Sequence, residues 1–154
     1  NFMDSIDRKI LRELQRDCSG SIAEIADRAG VSQTPCWRRI KKLEEAGYIK
    51  QRVAVLDQDL LNLGMTAYVM IKTSHHDDGW LARFSEGVSL IPEVMEIHRM
   101  AGDIDYLLKI VATDMGDYDR IYKRLITVAE LFDVSASFSM ERIKSSTELP
   151  LDRS

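Results

Sequence analysis

The sequence predicts an α+β chain, with an N-terminal winged helix-turn-helix joined to a C-terminal ferredoxin-like βαββαβ domain. Two stretches carry this. Residues 21–47 read as two short amphipathic helices hinged at Gly30, the helix-turn-helix pattern. From Met65 onward, strand-forming and helix-forming segments follow in the order β-α-β-β-α-β, the split βαβ arrangement. Charge shifts at the same place. Net formal charge is +3 through Arg52 and −7 from Val53 onward. A basic front and an acidic back fit one domain that meets phosphates and another that does not. The expected division is residues 1–52 for the helix-turn-helix, 53–64 for a connector, and 65–154 for the second domain.

In order along the chain, Asp4 or Ser5 caps a first helix running to about Asp17, with Ile6, Ile10, Leu11 and Leu14 as its apolar stripe. Ile22, Ile25, Ala26 and Ala29 give the second helix its buried face. Gly30 breaks it and Val31 fills the turn. Ser32 is placed to cap a third helix reaching about Ala46, and Pro35 fits its first turn. Cys36, Ile40 and Leu43 lie along one face of that helix, and Thr34, Arg38, Lys41 and Glu45 along the other. Residues 48–57 carry strand-forming residues, read as a short wing or a strand leaving the domain, with Lys50 and Arg52 near a DNA backbone. Leu60, Leu61 and Leu63 suggest a connector that packs.

Residues 65–73, 94–101, 106–113 and 134–143 are the four expected strands. A helix marked by Trp80, Leu81, Phe84 and Val88 follows the first. A helix opened by Asp114 and lined by Tyr118, Ile121, Tyr122, Leu125 and Ala129 precedes the last. Val69, Ile71, Leu108 and Ile110 alternate with further apolar residues, so both faces of the central strands look apolar. A sheet of this kind asks for a partner, which a homodimer supplies.

A helix bearing Arg38, Arg39, Lys41 and Lys42 within five positions suits a DNA major groove. The candidate DNA-contacting residues are Ser32, Gln33, Thr34, Trp37, Arg38, Lys41 and Lys42. Between the second and third strands, residues 102–105 (GDID) form a tight turn. Gly102 there offers a permissive backbone, and Asp103 offers a carboxylate for an ammonium group. Asp-rich turns also exist because Asp bonds its own backbone, which is the competing reading.

No apolar run reaches membrane-spanning length and no signal-peptide pattern opens the sequence, so a cytoplasmic location is expected. Cys18 and Cys36 lack metal-ligand or redox-pair spacing. His75, His76 and His98 form no ligand set with them, so no metal or cofactor is expected. Metalloprotease, P-loop and dinucleotide fingerprints are missing, which weakens an enzymatic reading.

Four blocks then carry a resemblance: residues 6–17 (IDRKILRELQRD), 32–49 (SQTPCWRRIKKLEEAGYI), 101–110 (AGDIDYLLKI) and 143–151 (IKSSTELPL). In this order and spacing they resemble the leucine-responsive regulator/asparagine regulator family, the feast-or-famine transcription factors of bacteria and archaea. The resemblance implies a DNA-binding transcriptional regulator whose second domain dimerises, assembles further into octamers, and binds a small amino acid. It places the effector site at Met100, Ala101, Gly102, Asp103, Ile104, Asp105 and Tyr106. Ala101 and His98 depart from the family's usual hydroxyl and Tyr. Several segments look closest to a subgroup linked to cysteine sensing. The rival expectations are a small-molecule enzyme on a ferredoxin-like fold and an amino-acid-binding assembly protein without an operator.

Overall fold

The computed structural model describes residues 3–128 and 133–153. They group into two compact units. The first holds residues 3–55 together with 143–153, and the second holds residues 56–142. The segment after residue 142, expected within the second domain, thus groups with the first.

The first unit packs α1 (Ser5–Arg16), α2 (Ile22–Ala29) and α3 (Gln33–Glu45). Asp4 caps α1 in a reciprocal box. Its carboxylate accepts from the Asp7 amide at 2.9 Å, while Asp7 accepts from the Asp4 amide at 3.2 Å. Ser21 caps α2 by accepting from the Glu24 amide. Gly30 ends α2 in the left-handed region, φ 71°. Val31 N–H then reaches back to the Ala26 carbonyl at 2.9 Å, which turns the chain into α3. Ser32 sits at the N-cap of α3 but makes no side-chain capping bond, unlike the expectation. Ile10, Ile25, Ala26, Ala29, Cys36 and Ile40 form the main core of the unit. A smaller cluster gathers Met3, Leu11 and Leu43, with Leu151 against it.

No strand forms at the expected wing. Residues 50–56 adopt neither helix nor strand and, among the described residues, pair with no strand. A lone strand leaves its backbone groups to water, so strand-forming side chains there do not suffice. The connector also differs from its expectation. The Leu63 amide bonds the Gln58 carbonyl at 2.9 Å, closing a turn that leaves Leu60 and Leu61 exposed.

The second unit is a four-stranded antiparallel sheet with two helices: β1 (Met65–Lys72), α4 (Asp78–Ser89), β2 (Val94–Arg99), β3 (Tyr106–Ala112), α5 (Met115–Val128) and β4 (Asp133–Phe138). Strand order is β2-β3-β1-β4. β4 stops at Phe138, short of the expected reach to Ile143. Ala129, expected on the packed face of α5, lies outside the described residues. Ala67, Val69 and Ile71 of β1 and Leu108 and Ile110 of β3 pack with Phe84, Val88, Ile121 and Leu125 of the helices. Gly87 lets α4 approach α5, since a Cβ there would collide with Val128 Cγ1.

Pairing register defines the opposite face of the sheet: Tyr68, Met70 and Lys72 beside Leu107, Lys109 and Val111, with Glu96, His98, Ser135 and Ser137 on the outer strands. The face is apolar only at its centre. Tyr68 is exposed there, and Met70 and Leu107 are half-buried. The outer strands place charged and hydroxyl groups around them, more polar than the central strands alone suggested.

Candidate nucleic-acid interface and effector turn

Helix α3 is divided by its own periodicity. Cys36, Ile40 and Leu43 are buried, and burial pushes the Cys36 thiol above its ordinary pKa, so it serves as packing rather than as a nucleophile. Ser32, Gln33, Thr34, Trp37, Arg38, Lys41 and Lys42 are all exposed. Trp37 is 49% exposed, and Lys41 Nζ lies 5.9 Å from its ring centroid. Among the described residues Arg38 and Lys42 have no ion-pair partner, while Lys41 has only the distant Glu44 carboxylate at 3.8 Å.

Arg39 behaves differently. Its Nη1 lies 2.7 Å from Asp4 Oδ2 and 3.0 Å from Asp7 Oδ1. The Asp4 carboxyl is held below the ordinary carboxylate range, first by the hydrogen bond from Arg39 and then by the Asp7 amide. One carboxylate thus caps α1 and ties α3 to it. Of the four cations on this helix, Arg39 is thus half-buried and engaged by α1, and it lies outside the candidate DNA-contacting set. Arg38, Arg39 and Lys42 help line a surface cavity of about 620 Å³, together with Asp4 and Asp7.

In the second unit, the β2–β3 turn is held from both ends. The Met100 amide bonds the Asp105 carbonyl at 2.8 Å, and the Asp105 amide bonds the Ile71 carbonyl at 2.9 Å. Asp105 Oδ2 accepts from the Thr73 amide at 2.8 Å, tying the turn to the loop after β1. Tyr106 is buried against Phe84 and Trp80, with centroids 4.8 and 5.8 Å away. Ala101, Gly102 and Asp103 are exposed and Ile104 is half-buried. Their four amides meet no acceptor among the described residues. Gly102 has φ 131°, and no atom stands within 4 Å of where its Cβ would be. The turn therefore presents open backbone donors and the Asp103 side chain together, while Asp105 and Tyr106 brace it. Met100 is exposed at its start.

Residues 3–50 match a family model for winged helix-turn-helix DNA binding, and residues 66–149 match one for the Lrp/AsnC ligand binding domain. A crystal structure of an AsnC family transcriptional regulator from Agrobacterium tumefaciens is 54% identical, with a TM-score of 0.95 over 98% of this chain and 99% of that one. The DNA-binding transcriptional activator DecR of Escherichia coli K12 is 46% identical over 98% of this chain and all of its own. A transcriptional regulator from Neisseria meningitidis, solved in complex with L-Met, is 32% identical with a TM-score of 0.92 over 98% of both chains. The chain belongs to the Lrp/AsnC family.

As a Lrp/AsnC protein it is a DNA-binding transcriptional regulator with a ligand-binding domain, and not a catalyst. No helix among the described residues is long and apolar enough to cross a membrane. Nor do three or more His, Cys, Asp or Glu side chains converge there in a metal-holding group. Two features of this regulator escape sequence reasoning. One is the Arg39 tie, for which the Asp4 to Asp7 spacing of a capping box was the available signal. The other is the Thr73–Asp105 bond, which joins residues distant in sequence and leaves no local pattern.

Proposed function

We propose that this regulator reads a roughly palindromic operator as a dimer through Ser32, Gln33, Thr34, Trp37, Arg38, Lys41 and Lys42. A small amino acid, with cysteine the leading candidate, then binds beside Met100–Tyr106 and tunes assembly or DNA binding. The observation that carries the DNA reading is the face of α3 on which Arg38 and Lys42 stand exposed and, among the described residues, unpaired, while the opposite face is core. Unpaired cations on a rigid helix are available to guanine edges and phosphates. Dimerisation supplies two heads and hence a site with two halves.

The effector reading rests on the open amides of Ala101–Ile104, which suit a carboxylate, and on Asp103, which suits an ammonium. The L-Met complex of the Neisseria relative supports an amino acid, and one containing sulfur. The subgroup resemblance adds the preference for cysteine. Calorimetry across the common amino acids is expected to give saturable heat, strongest with cysteine. Asp103→Ala should weaken it about tenfold or more, the loss of one charge-assisted hydrogen bond, while leaving operator binding by the ligand-free protein intact. Unchanged ligand affinity in that variant removes Asp103 from the site. No heat with any amino acid counts against the sensor reading.

The half-apolar sheet face is the proposed dimer surface, with an octamer of four dimers as the assembly the family resemblance implies. Met70→Asp sets a carboxylate at the centre of that face, beside Leu107. Light scattering should show dimers or larger for the parent chain and dissociation for this variant. A folded parent monomer at working concentration would end the dimer proposal.

A further inference from the structure

The segment after β4 returns to the helix-turn-helix unit and grips α1, with Leu151 packed on a cluster that includes Leu43 of α3. The Gln15 carboxamide holds the Leu149 backbone from both sides. Its Nε2 donates to the Leu149 carbonyl at 3.1 Å and its Oε1 accepts from the Leu149 amide. Flanking this clamp, Arg16 Nε bonds Glu148 at 3.0 Å and Arg12 Nη2 bonds Asp152 at 2.6 Å. A short 3-10 turn, Leu151–Arg153, then lays Leu151 against Met3, Leu11 and Leu43. Leu11 belongs to α1 and Leu43 to α3, so one side chain from the far end of the sequence touches the cluster that joins them.

The relative weights of these contacts matter. The Arg12–Asp152 and Arg16–Glu148 pairs are substantially exposed, and such pairs contribute little. The Gln15 clamp is the directional contact, because a two-point grip on one peptide unit fixes its register. Leu151 is the apolar contact. Among the described residues, Met3, Leu11 and Leu43 are the buried members of the second small core, with Ile49 and Leu151 packed against it. Removing a partly buried neighbour from so small a cluster loosens it proportionately more than in the main core, and Leu43 directly follows the exposed Lys42 on α3.

We propose that Glu148–Arg153 is a working part of the DNA-reading head, a strap in which Gln15 and Leu151 position α3 against α1. Gln15 lies on α1 and Leu151 in the 3-10 turn, both off the exposed face of α3, so both are positioning residues. The inference rests on the DNA reading given above for α3, and its test separates the two. In the full-length chain, Leu151→Ser and Gln15→Leu each remove one of the two main contacts, and Asp27→Ala, at an exposed α2 position that bonds nothing in the strap, serves as the control. Amide hydrogen exchange without DNA reads the strap directly. Protection in α1 and α3 should fall about tenfold in both variants, while that of β1 and β3 holds. Operator affinity should fall by a similar factor, since apparent affinity scales with the fraction of competent heads. Gln15→Glu keeps an acceptor for the Leu149 amide and should fall between parent and Gln15→Leu. A synthetic peptide spanning residues 147–153, added in excess to Leu151→Ser, should restore part of the lost operator affinity. Unchanged protection in α1 and α3 in both variants overturns the strap. Lost protection with full operator affinity overturns the positioning role. A parent chain that binds no operator overturns the DNA reading instead, and the exchange result then still decides whether the strap grips the head.

Discussion

Phe84→Ala is expected to cost the second unit about 3–5 kcal/mol of stability. Phe84 is 1% exposed and lies between two other rings, with Trp80 stacked 5.0 Å away and Tyr106 tilted at 4.8 Å. Truncation removes a large apolar side chain from water-free packing and leaves a cavity that rigid β1 and β3 cannot close. It also loses two aromatic contacts, each contributing about 0.5–1.5 kcal/mol beyond area. Tyr106 directly follows the β2–β3 turn, so its ring should lose its rest and the turn its lower anchor. The two tryptophans make the measurement clean, since Trp37 is in the helix-turn-helix unit and Trp80 in the other. Urea unfolding of a Trp37→Phe background, followed by Trp80 fluorescence, should show the midpoint drop sharply. Leu90→Ala, on the same helix's end but 69% exposed, should stay within about 0.5 kcal/mol. Equal shifts for both variants would mean that the aromatic stack is not the centre of this core.

That core was legible in the sequence because its signals are local. Trp80, Phe84 and Val88 recur at helical spacing, and Val69 and Ile71 alternate at strand spacing, so type and inward face follow from the same residues. The order of strands and helices followed in turn. What escaped depends on partners distant in sequence. Arg39 reads like its neighbours until Asp4 and Asp7, 35 and 32 positions away, claim it. Asp105 reads like Asp103 until the Thr73 amide takes one of its oxygens. Residues 50–56 carry β-forming side chains, but a strand also needs a neighbour, and the single chain offers none among the described residues. Leu60 and Leu61 looked like packing residues on hydrophobicity alone, and the turn that exposes them is set by the Asp57–Leu63 backbone. The return of residues 143–153 to the first unit has no periodic signature at all.

The same distinction between free and spent cations sets the expected result on DNA. Arg38→Ala should weaken operator binding about 5- to 150-fold, the 1–3 kcal/mol of one bidentate base contact, and weaken random-sequence binding far less. Lys42→Ala, on the flank of α3, should weaken both alike and lower the salt slope by about one, as a phosphate contact does. Arg39→Ala should do neither. Its guanidinium is engaged by Asp4 and Asp7, and Asp7 is only 8% exposed. Deleting the cation leaves a buried carboxylate without its partner, so the effect belongs to folding: about 1–3 kcal/mol of stability, with the salt slope of the remaining folded protein unchanged. Footprinting, salt titration and thermal melting of the three variants separate these outcomes. A lower salt slope in Arg39→Ala would show that DNA draws the guanidinium away from Asp4 and Asp7. Equal losses on operator and random DNA for Arg38→Ala would move base reading elsewhere on the exposed face, to Gln33 or Thr34 at the start of α3.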